Sequence, residues 1–234
     1  MTPFIAEMIG TALLITFGNG VVANVILNKT KGNGGGLIAI TFGWAMAAFI
    51  GVFAVSAISG SHLNPAITIA LAIIGKFEWA LVPQYILAQM LGAMIGSLLV
   101  WIMYREHFDE TDDASAKLGS FCTAPSIRST LQNFVTELVA TAVFMIAILF
   151  IVKPTNTLGA VDALPVALVV LAVGLSLGGP TGYAINPARD LGPRIMHALL
   201  PIKNKGKSDW EYAWVPVLGP ICGAVLGAVL YSLF

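Results

Sequence analysis

The stretch Ser59-Gly60-Ser61-His62-Leu63-Asn64-Pro65-Ala66 has a counterpart later in the chain, Gly182-Tyr183-Ala184-Ile185-Asn186-Pro187-Ala188-Arg189-Asp190. Both contain Asn-Pro-Ala. Asparagine is favoured immediately before a helix and proline at its first position. Each triplet therefore predicts the start of a helix. The apolar pieces that follow, Ile67–Ile74 and Leu191–Leu200, are shorter than the roughly 20 residues that a membrane-spanning helix needs.

The rest of the chain has the composition of a membrane protein. Of its 234 residues, 57% are apolar and only 10% are charged, and the mean hydropathy is +0.86. Twelve basic and twelve acidic residues balance, so nothing indicates a nucleic-acid partner. The two cysteines have no metal-binding spacing, and we expect neither a metal nor a cofactor. Six apolar stretches are predicted to span the membrane: Phe4–Leu27, Leu37–Ser59, Trp79–Tyr104, Phe134–Val152, Ala163–Leu177 and Tyr212–Phe234.

The two halves of the chain repeat each other. Phe4-Ile-Ala-Glu7 pairs with Phe134-Val-Thr-Glu137, and Gly92-x-x-x-Gly96 pairs with Gly223-x-x-x-Gly227. Because each half holds an odd number of spans, the halves must lie in opposite orientations, as in many transport proteins. The pattern predicts an all-α membrane protein with six transmembrane helices and two re-entrant half-helices. The predicted organisation is one channel domain, 1–234, with inverted-repeat halves 1–104 and 134–234 and a connecting loop 105–133.

Two half-helices that enter from opposite faces would bring their N-termini together in mid-membrane. Each N-terminus carries roughly half a positive charge, so the meeting point repels cations and protons. The amides of Asn64 and Asn186 would donate to a passing hydroxyl or water. The two quoted segments resemble the signature loops of the major intrinsic protein family, the aquaporins and glycerol facilitators. The resemblance implies an aquaporin-like fold, one pore per subunit, a homotetramer in the cell membrane and both termini in the cytoplasm.

The resemblance also implies a narrow selectivity filter at Trp44, Gly174, Tyr183 and Arg189. Water-selective members typically carry a histidine where Gly174 stands, so glycine implies a wider filter. Trp44 and Tyr183 would form an apolar corner for a carbon chain, opposite the donors of Arg189. Two alternatives remain open. Asp190 or loop carbonyls would hold Arg189 without a role in transport, or Trp44 would serve as an interfacial anchor.

Three further features resemble the glycerol branch of the family, namely Asp190, Arg194 and the pair Pro216-Val217. The expected function is therefore passive passage of glycerol, other small neutral solutes and water across the lipid bilayer. Tyr183 departs from the phenylalanine of the best-known bacterial glycerol facilitator, which leaves the preferred solute open. Alternatives are a mainly water-selective channel, or passage of dihydroxyacetone, urea, hydrogen peroxide or lactic acid. A coupled transporter or an enzyme is disfavoured because the spans hold no carboxylate cluster and no nucleophile with a base.

Carboxylates within the predicted spans have two interpretations. Glu7 and Glu137 would either relay protons or, as the resemblance implies, hold the signature loops in shape, and their symmetric placement favours the scaffold. Asp190 is a third scaffold candidate, at a half-helix N-terminus. The predicted pore centre is Asn64, Pro65, Ala66, Asn186, Pro187 and Ala188. The predicted pore carbonyls, which would replace lost hydration, belong to Gly60, Ser61, His62, Leu63, Thr181, Gly182, Tyr183 and Ala184.

The sequence also contains three histidines and several charged residues in the predicted loops. His62 is placed at the cytoplasmic pore mouth or in a structural role, and His107 and His197 are placed on the surface. The positive-inside rule disagrees with the orientation that the resemblance implies, and we retain the latter. On that topology Lys76 and Lys153 face the cytoplasm, whereas these residues face outward: Lys29, Lys31, Arg105, Lys117, Arg128, Lys203, Lys205 and Lys207.

Overall fold

The computed structural model describes residues 1–151 and 157–234 and contains, within those ranges, helices and no strand. The end of the predicted fourth span at Val152, and Lys153, lie outside the described residues. Two 3₁₀ turns, Trp79–Leu81 and Gly159–Ala163, lead into α4 and α7. The helices are α1 (Pro3–Ile26), α2 (Gly36–Ser59), α3 (Pro65–Ile73), α4 (Val82–Asp109), α5 (Ala114–Gly119), α6 (Thr130–Leu149), α7 (Leu164–Leu177), α8 (Pro187–Leu199) and α9 (Val215–Tyr231).

Every predicted span coincides with a helix. Five helical segments are long and apolar enough to cross a membrane: α1, α2, α6 and, with their leading 3₁₀ turns, α4 and α7. The sixth, α9, is apolar and has 17 residues. It begins at Val215 rather than Tyr212, with a proline in its first turn, where the missing N–H costs no hydrogen bond. The all-α membrane fold predicted from the sequence is therefore confirmed.

The two Asn-Pro-Ala triplets begin helices as predicted. The Asn64 side chain accepts from the amide of Ala66 at 2.9 Å, and the Asn186 side chain accepts from the amide of Ala188 at 3.0 Å. The resulting half-helices, α3 and α8, have 9 and 13 residues. Each packs against a helix of the other half, α3 on α9 and α8 on α4. The two halves thus interlock at the half-helices.

Small residues allow the closest helix pairs to form. An added Cβ at Gly92 would lie 2.3 Å from the carbonyl oxygen of Met8, and one at Gly223 would lie 2.2 Å from that of Leu138. These glycines therefore seat α4 against α1 and α9 against α6, at equivalent places in the two halves. Close backbone approach through small residues is a common way to pack helices in a membrane.

The connecting segment carries more structure than the predicted loop 105–133. The helix α4 continues to Asp109, and the short helix α5 begins after Asp113, whose side chain accepts from the Ser115 amide at 2.8 Å. The apolar span predicted for this region ends at Tyr104, where charged residues begin. Charged residues do not stop a helix, and this is why hydropathy alone placed the boundary too early.

Candidate functional site

The two half-helix N-termini meet through a reciprocal pair of hydrogen bonds. Asn64 Nδ2 donates to the carbonyl oxygen of Ile185 at 2.8 Å, and Asn186 Nδ2 donates to that of Leu63 at 2.8 Å. Each amide nitrogen carries a second N–H, and both asparagines line the cavity that runs past this point. The meeting point therefore presents two N–H donors beside two positive helix ends.

The loops before the half-helices share an unusual backbone. Ser61 and Leu63 have φ of 52° and 50°, and Tyr183 and Ile185 have φ of 41° and 45°. A residue other than glycine in this left-handed region costs on the order of 1–3 kcal/mol and persists only where its surroundings enforce it. Positive φ at two residues, two positions apart, occurs in both loops, so the surrounding structure must enforce this backbone in each half.

Two buried carboxylates enforce this backbone. Glu7 accepts from the amides of His62 at 2.9 Å and Leu63 at 2.7 Å. Glu137 accepts from the amides of Ala184 and Ile185, each at 3.0 Å. Both carboxylates have 0% of their surface exposed. Hydroxyl donors complete each site, from Ser59 to Glu7 at 2.7 Å and from Thr181 to Glu137 at 2.6 Å.

The loop carbonyls fall into two groups. Ser61, His62, Tyr183 and Ala184 line the cavity, and no hydrogen bond within residues 1–151 and 157–234 engages their carbonyl oxygens. The carbonyl of Leu63, in contrast, already accepts from Asn186. The carbonyl of Gly60 accepts from the Ser61 hydroxyl at 2.8 Å, and Thr181 and Gly182 are not among the lining residues. Of the predicted pore carbonyls, four are thus both free and beside the cavity.

The predicted filter residues come together, with one difference from expectation. The Arg189 guanidinium carbon lies 4.3 Å from the centre of the Trp44 ring, so cation and ring stack instead of facing each other across the opening. Tyr183 packs next to them, and all three side chains are buried and line the cavity. Arg189 Nη1 has no hydrogen-bond partner among the described residues. An arginine with a buried, unpaired donor therefore lies beside the cavity.

The space beside Gly174, which the sequence predicted to be open, is occupied by other side chains. A Cβ there would lie 2.3 Å from Thr41 Cγ2 and 2.9 Å from Tyr183 Cζ, and one at Gly178 would lie 2.4 Å from Tyr183 Cδ1. The Tyr183 ring thus occupies the space that these glycines leave on α7. Gly174 itself is not among the lining residues. Gly174 reaches the cavity only through its contact with the Tyr183 ring, which is a lining residue.

The Asp190 carboxylate accepts hydrogen bonds from Arg194 and Thr123, and none from the side chain of Arg189. Its Oδ1 accepts from Arg194 Nε at 2.9 Å and Nη2 at 2.8 Å. Its Oδ2 accepts from the amide and the hydroxyl of Thr123, at 2.7 and 2.6 Å. The alternative in which Asp190 holds Arg189 is not what the structure contains. The role of Thr123 could not be predicted from the sequence, because a single threonine in a long polar connection forms no recognisable pattern.

The histidines differ in their surroundings. His62 lines the cavity, with Nδ1 3.1 Å from Thr68 Oγ1 and the rings of Phe77 and Tyr85 beside it. His107 is half-buried in the last turn of α4. His197 is fully buried, so its predicted surface position is wrong. The end of α8 packs beneath the loop that contains Ser208, whose hydroxyl lies 2.9 Å from His197 Nδ1.

The cavity is amphipathic and has a volume of about 480 Å³. Its lining includes residues of the two signature loops, the two asparagines and Arg189. It also includes apolar side chains, among them Leu14, Val52, Phe144, Ile148 and Val170. Such a surface suits a small molecule with hydroxyls along one edge and carbon along the other.

Known proteins are similar to this chain in sequence and in architecture. The model of the family described as major intrinsic protein matches residues 1–231. A probable glycerol uptake facilitator protein of Thermotoga maritima is 52% identical over 99% of this chain and 99% of its own length. The glycerol uptake facilitator protein of Bacillus subtilis is 53% identical over 94% of this chain and 80% of its own.

A solved structure agrees with these relatives. The aquaglyceroporin from Plasmodium falciparum superposes with a TM-score of 0.86 at 33% identity, covering 97% of this chain and 93% of that one. The agreement includes the whole helical architecture, because nearly all of both chains is aligned. The apolar helices, the paired Asn-Pro-Ala half-helices and these matches lead to one conclusion, that the chain is a membrane protein and belongs to the major intrinsic protein family.

Proposed function

We propose that this chain is a passive transmembrane channel for glycerol, other small uncharged solutes and water. The observation that carries the proposal is one cavity lined by the paired asparagines, by Arg189 and by apolar side chains. The relatives named as glycerol uptake facilitators support glycerol as the solute. The family is one of channels, which supports a transport role rather than an enzymatic one.

In this proposal Trp44, Gly174, Tyr183 and Arg189 form the selectivity filter. Arg189 donates to two hydroxyls of a passing polyol, and the Tyr183 and Trp44 ring edges contact its carbon chain. Gly174 sets the width by accepting the tyrosine ring. Because Arg189 Nη1 is buried without a partner among the described residues, a solute hydroxyl that reaches it gains a bond without breaking one, which offsets part of its dehydration.

Passage continues along the free carbonyls to the two asparagines. The carbonyls of Ser61, His62, Tyr183 and Ala184 accept solute hydroxyl protons in turn, and the Asn64 and Asn186 amides donate at the centre. Both half-helices point their positive ends at this place, so a cation or a hydrated proton meets an electrostatic barrier. The channel thereby excludes ions while neutral solutes exchange hydrogen bonds.

The buried carboxylates serve as scaffold in this proposal. Glu7, Glu137 and Asp190 hold the loops and α8 by the bonds described above. The chain acts as one domain whose inverted halves each supply one loop. By analogy with the family, we propose that four copies assemble in the cell membrane, with both termini in the cytoplasm.

A mainly water-selective channel is the second candidate, and one observation favours it. The Tyr183 ring fills the space above Gly174, which narrows the filter relative to a fully open glycine position. The two candidates differ in a single measurable quantity, the ratio of glycerol to water permeability. We rank the glycerol channel first because of its relatives.

Stopped-flow light scattering on proteoliposomes tests the proposal. In a glycerol gradient we expect rapid reswelling, compared with protein-free liposomes, that is insensitive to proton and sodium gradients and to membrane potential. Water flux without glycerol flux would establish the second candidate instead. Dependence on an ion gradient would refute passive transport.

A further inference from the structure

Different parts of the chain hold the two signature loops in place. In the first half, α4 provides two donors. Tyr85 Oη donates to the backbone at the loop start at 2.9 Å, and Gln89 Nε2 donates to the buried carboxylate at 2.8 Å. Aligning the repeat on Gly92 and Gly223 places Pro216 and Pro220 of α9 at the equivalent positions. A proline side chain donates no hydrogen bond, so α9 cannot support the second loop in this way.

The second loop is supported from the connecting segment instead. Thr123 donates its amide and its hydroxyl to Asp190, directly after the filter arginine. Its side chain also covers the loop before the filter, since a Cβ at Gly182 would lie 3.3 Å from Thr123 Cγ2. The Thr123 carbonyl accepts from Arg194 Nη2 at 2.9 Å. One residue thus touches the loop, the half-helix and the ion pair behind them.

This network leaves no donor unused on Arg194. Its five N–H groups go to Asp190 Oδ1 twice, to the Thr123 carbonyl and to the carbonyls of Ser208 and Asp209 at 2.8 and 3.1 Å. Asp190 accepts four bonds, two on each oxygen, and both side chains are fully buried. Removing the Thr123 hydroxyl would therefore leave an acceptor position on a buried carboxylate empty, next to Arg189.

We propose that Thr123 is a positioning residue for the selectivity filter and that its hydroxyl, through its hydrogen bond to Asp190, sets how strictly the filter discriminates solutes by size. The inference rests on the proposed channel function. A loop that loses this support moves more freely, and the filter is then wider for part of the time. The permeability to a larger polyol therefore rises by a greater factor than the permeability to glycerol. Mutations along such a network change coupling by factors of roughly two to thirty.

The test compares Thr123→Val, which is nearly isosteric and lacks the hydroxyl, with Thr123→Ser, which retains it. Thr111→Val is the matched control. Thr111 is also a buried threonine of the connecting segment, but its hydroxyl bonds to the carbonyl of His107 at 2.7 Å, away from the filter. Two quantities are measured on each purified protein: the glycerol-to-xylitol permeability ratio in proteoliposomes, and hydrogen exchange at the amides of Ala184 and Ile185.

In Thr123→Val we expect the ratio to fall by on the order of threefold and exchange at both amides to accelerate, while Thr123→Ser and Thr111→Val match the wild type. An unchanged ratio or unchanged exchange in Thr123→Val overturns the proposal. An equal fall in Thr111→Val overturns it as well, because the effect would then be general loosening of the segment. Wild-type protein that conducts no glycerol would refute the proposed function separately, and amide exchange would still decide whether Thr123 positions the loop.

Discussion

Gly174→Ala is the substitution that most directly tests the proposed selectivity filter. The added methyl would lie 2.3 Å from Thr41 Cγ2 and 2.9 Å from Tyr183 Cζ, and both distances are too short for carbon atoms in contact. The Tyr183 ring must therefore move away from α7, towards Arg189 and the cavity. Overpacking of this kind costs about 1–3 kcal/mol. If this energy adds to the free-energy barrier for a solute that must pass the displaced Tyr183 ring, the permeability to that solute falls by about 5- to 150-fold.

Water is smaller than glycerol and depends less on that space. We therefore expect Gly174→Ala to reduce glycerol permeability within this range and water permeability much less, as measured by stopped-flow light scattering on matched proteoliposomes. Adding Thr41→Ser removes the methyl that makes the shortest contact and keeps the hydroxyl that donates to the Leu37 carbonyl at 2.6 Å. The double variant should recover part of the glycerol flux.

Gly20→Ala is the matched control for this experiment. It makes the same change on a transmembrane helix, where the nearest atom to the new Cβ is Val100 Cγ2 at 3.9 Å. Its permeabilities should equal those of the wild type. Equal losses of glycerol and water flux in Gly174→Ala, or no loss of either, would show that Gly174 does not control the filter through Tyr183.

Further predictions concern stability and the same filter. Glu137→Gln replaces an acceptor oxygen by an amide that faces a backbone N–H, so unfolding in detergent should require about 1.5–3 kcal/mol less. The exposed Glu211→Gln should change nothing, and equal effects would contradict the scaffold role. Gly223→Ala places a methyl 2.2 Å from the carbonyl oxygen of Leu138 and should lower thermal stability by about 1–3 kcal/mol. Unchanged melting would show that α6 and α9 separate at little cost. Gly174→His should reduce glycerol flux far more than water flux, and equal reductions would contradict the placement of this glycine at the filter.

The sequence alone was sufficient for features that neighbouring residues determine. Stretches of apolar residues predicted all six spans, because a helix in lipid must be apolar over its length. Asn-Pro-Ala predicted both half-helices, because the cap bond joins residues two positions apart, as in Asn64 to Ala66. The repeated Gly92 and Gly223 marked equivalent places in the two halves, and in the structure both lie where two helices pack closely, since small residues permit backbone approach.

Tertiary structure alone decided the contacts between distant parts of the chain. Thr123 and Asp190 are 67 positions apart, and nothing in either stretch indicates that they meet. The packing of Tyr183 on Gly174 and the burial of His197 likewise depend on how α7, α8 and the loops close over one another. The sequence therefore determined which elements form and that two half-helices meet at a central point. Only the packed fold decided which polar groups are paired and which remain free for a solute, because hydrogen-bond partners in a buried site are chosen by three-dimensional proximity.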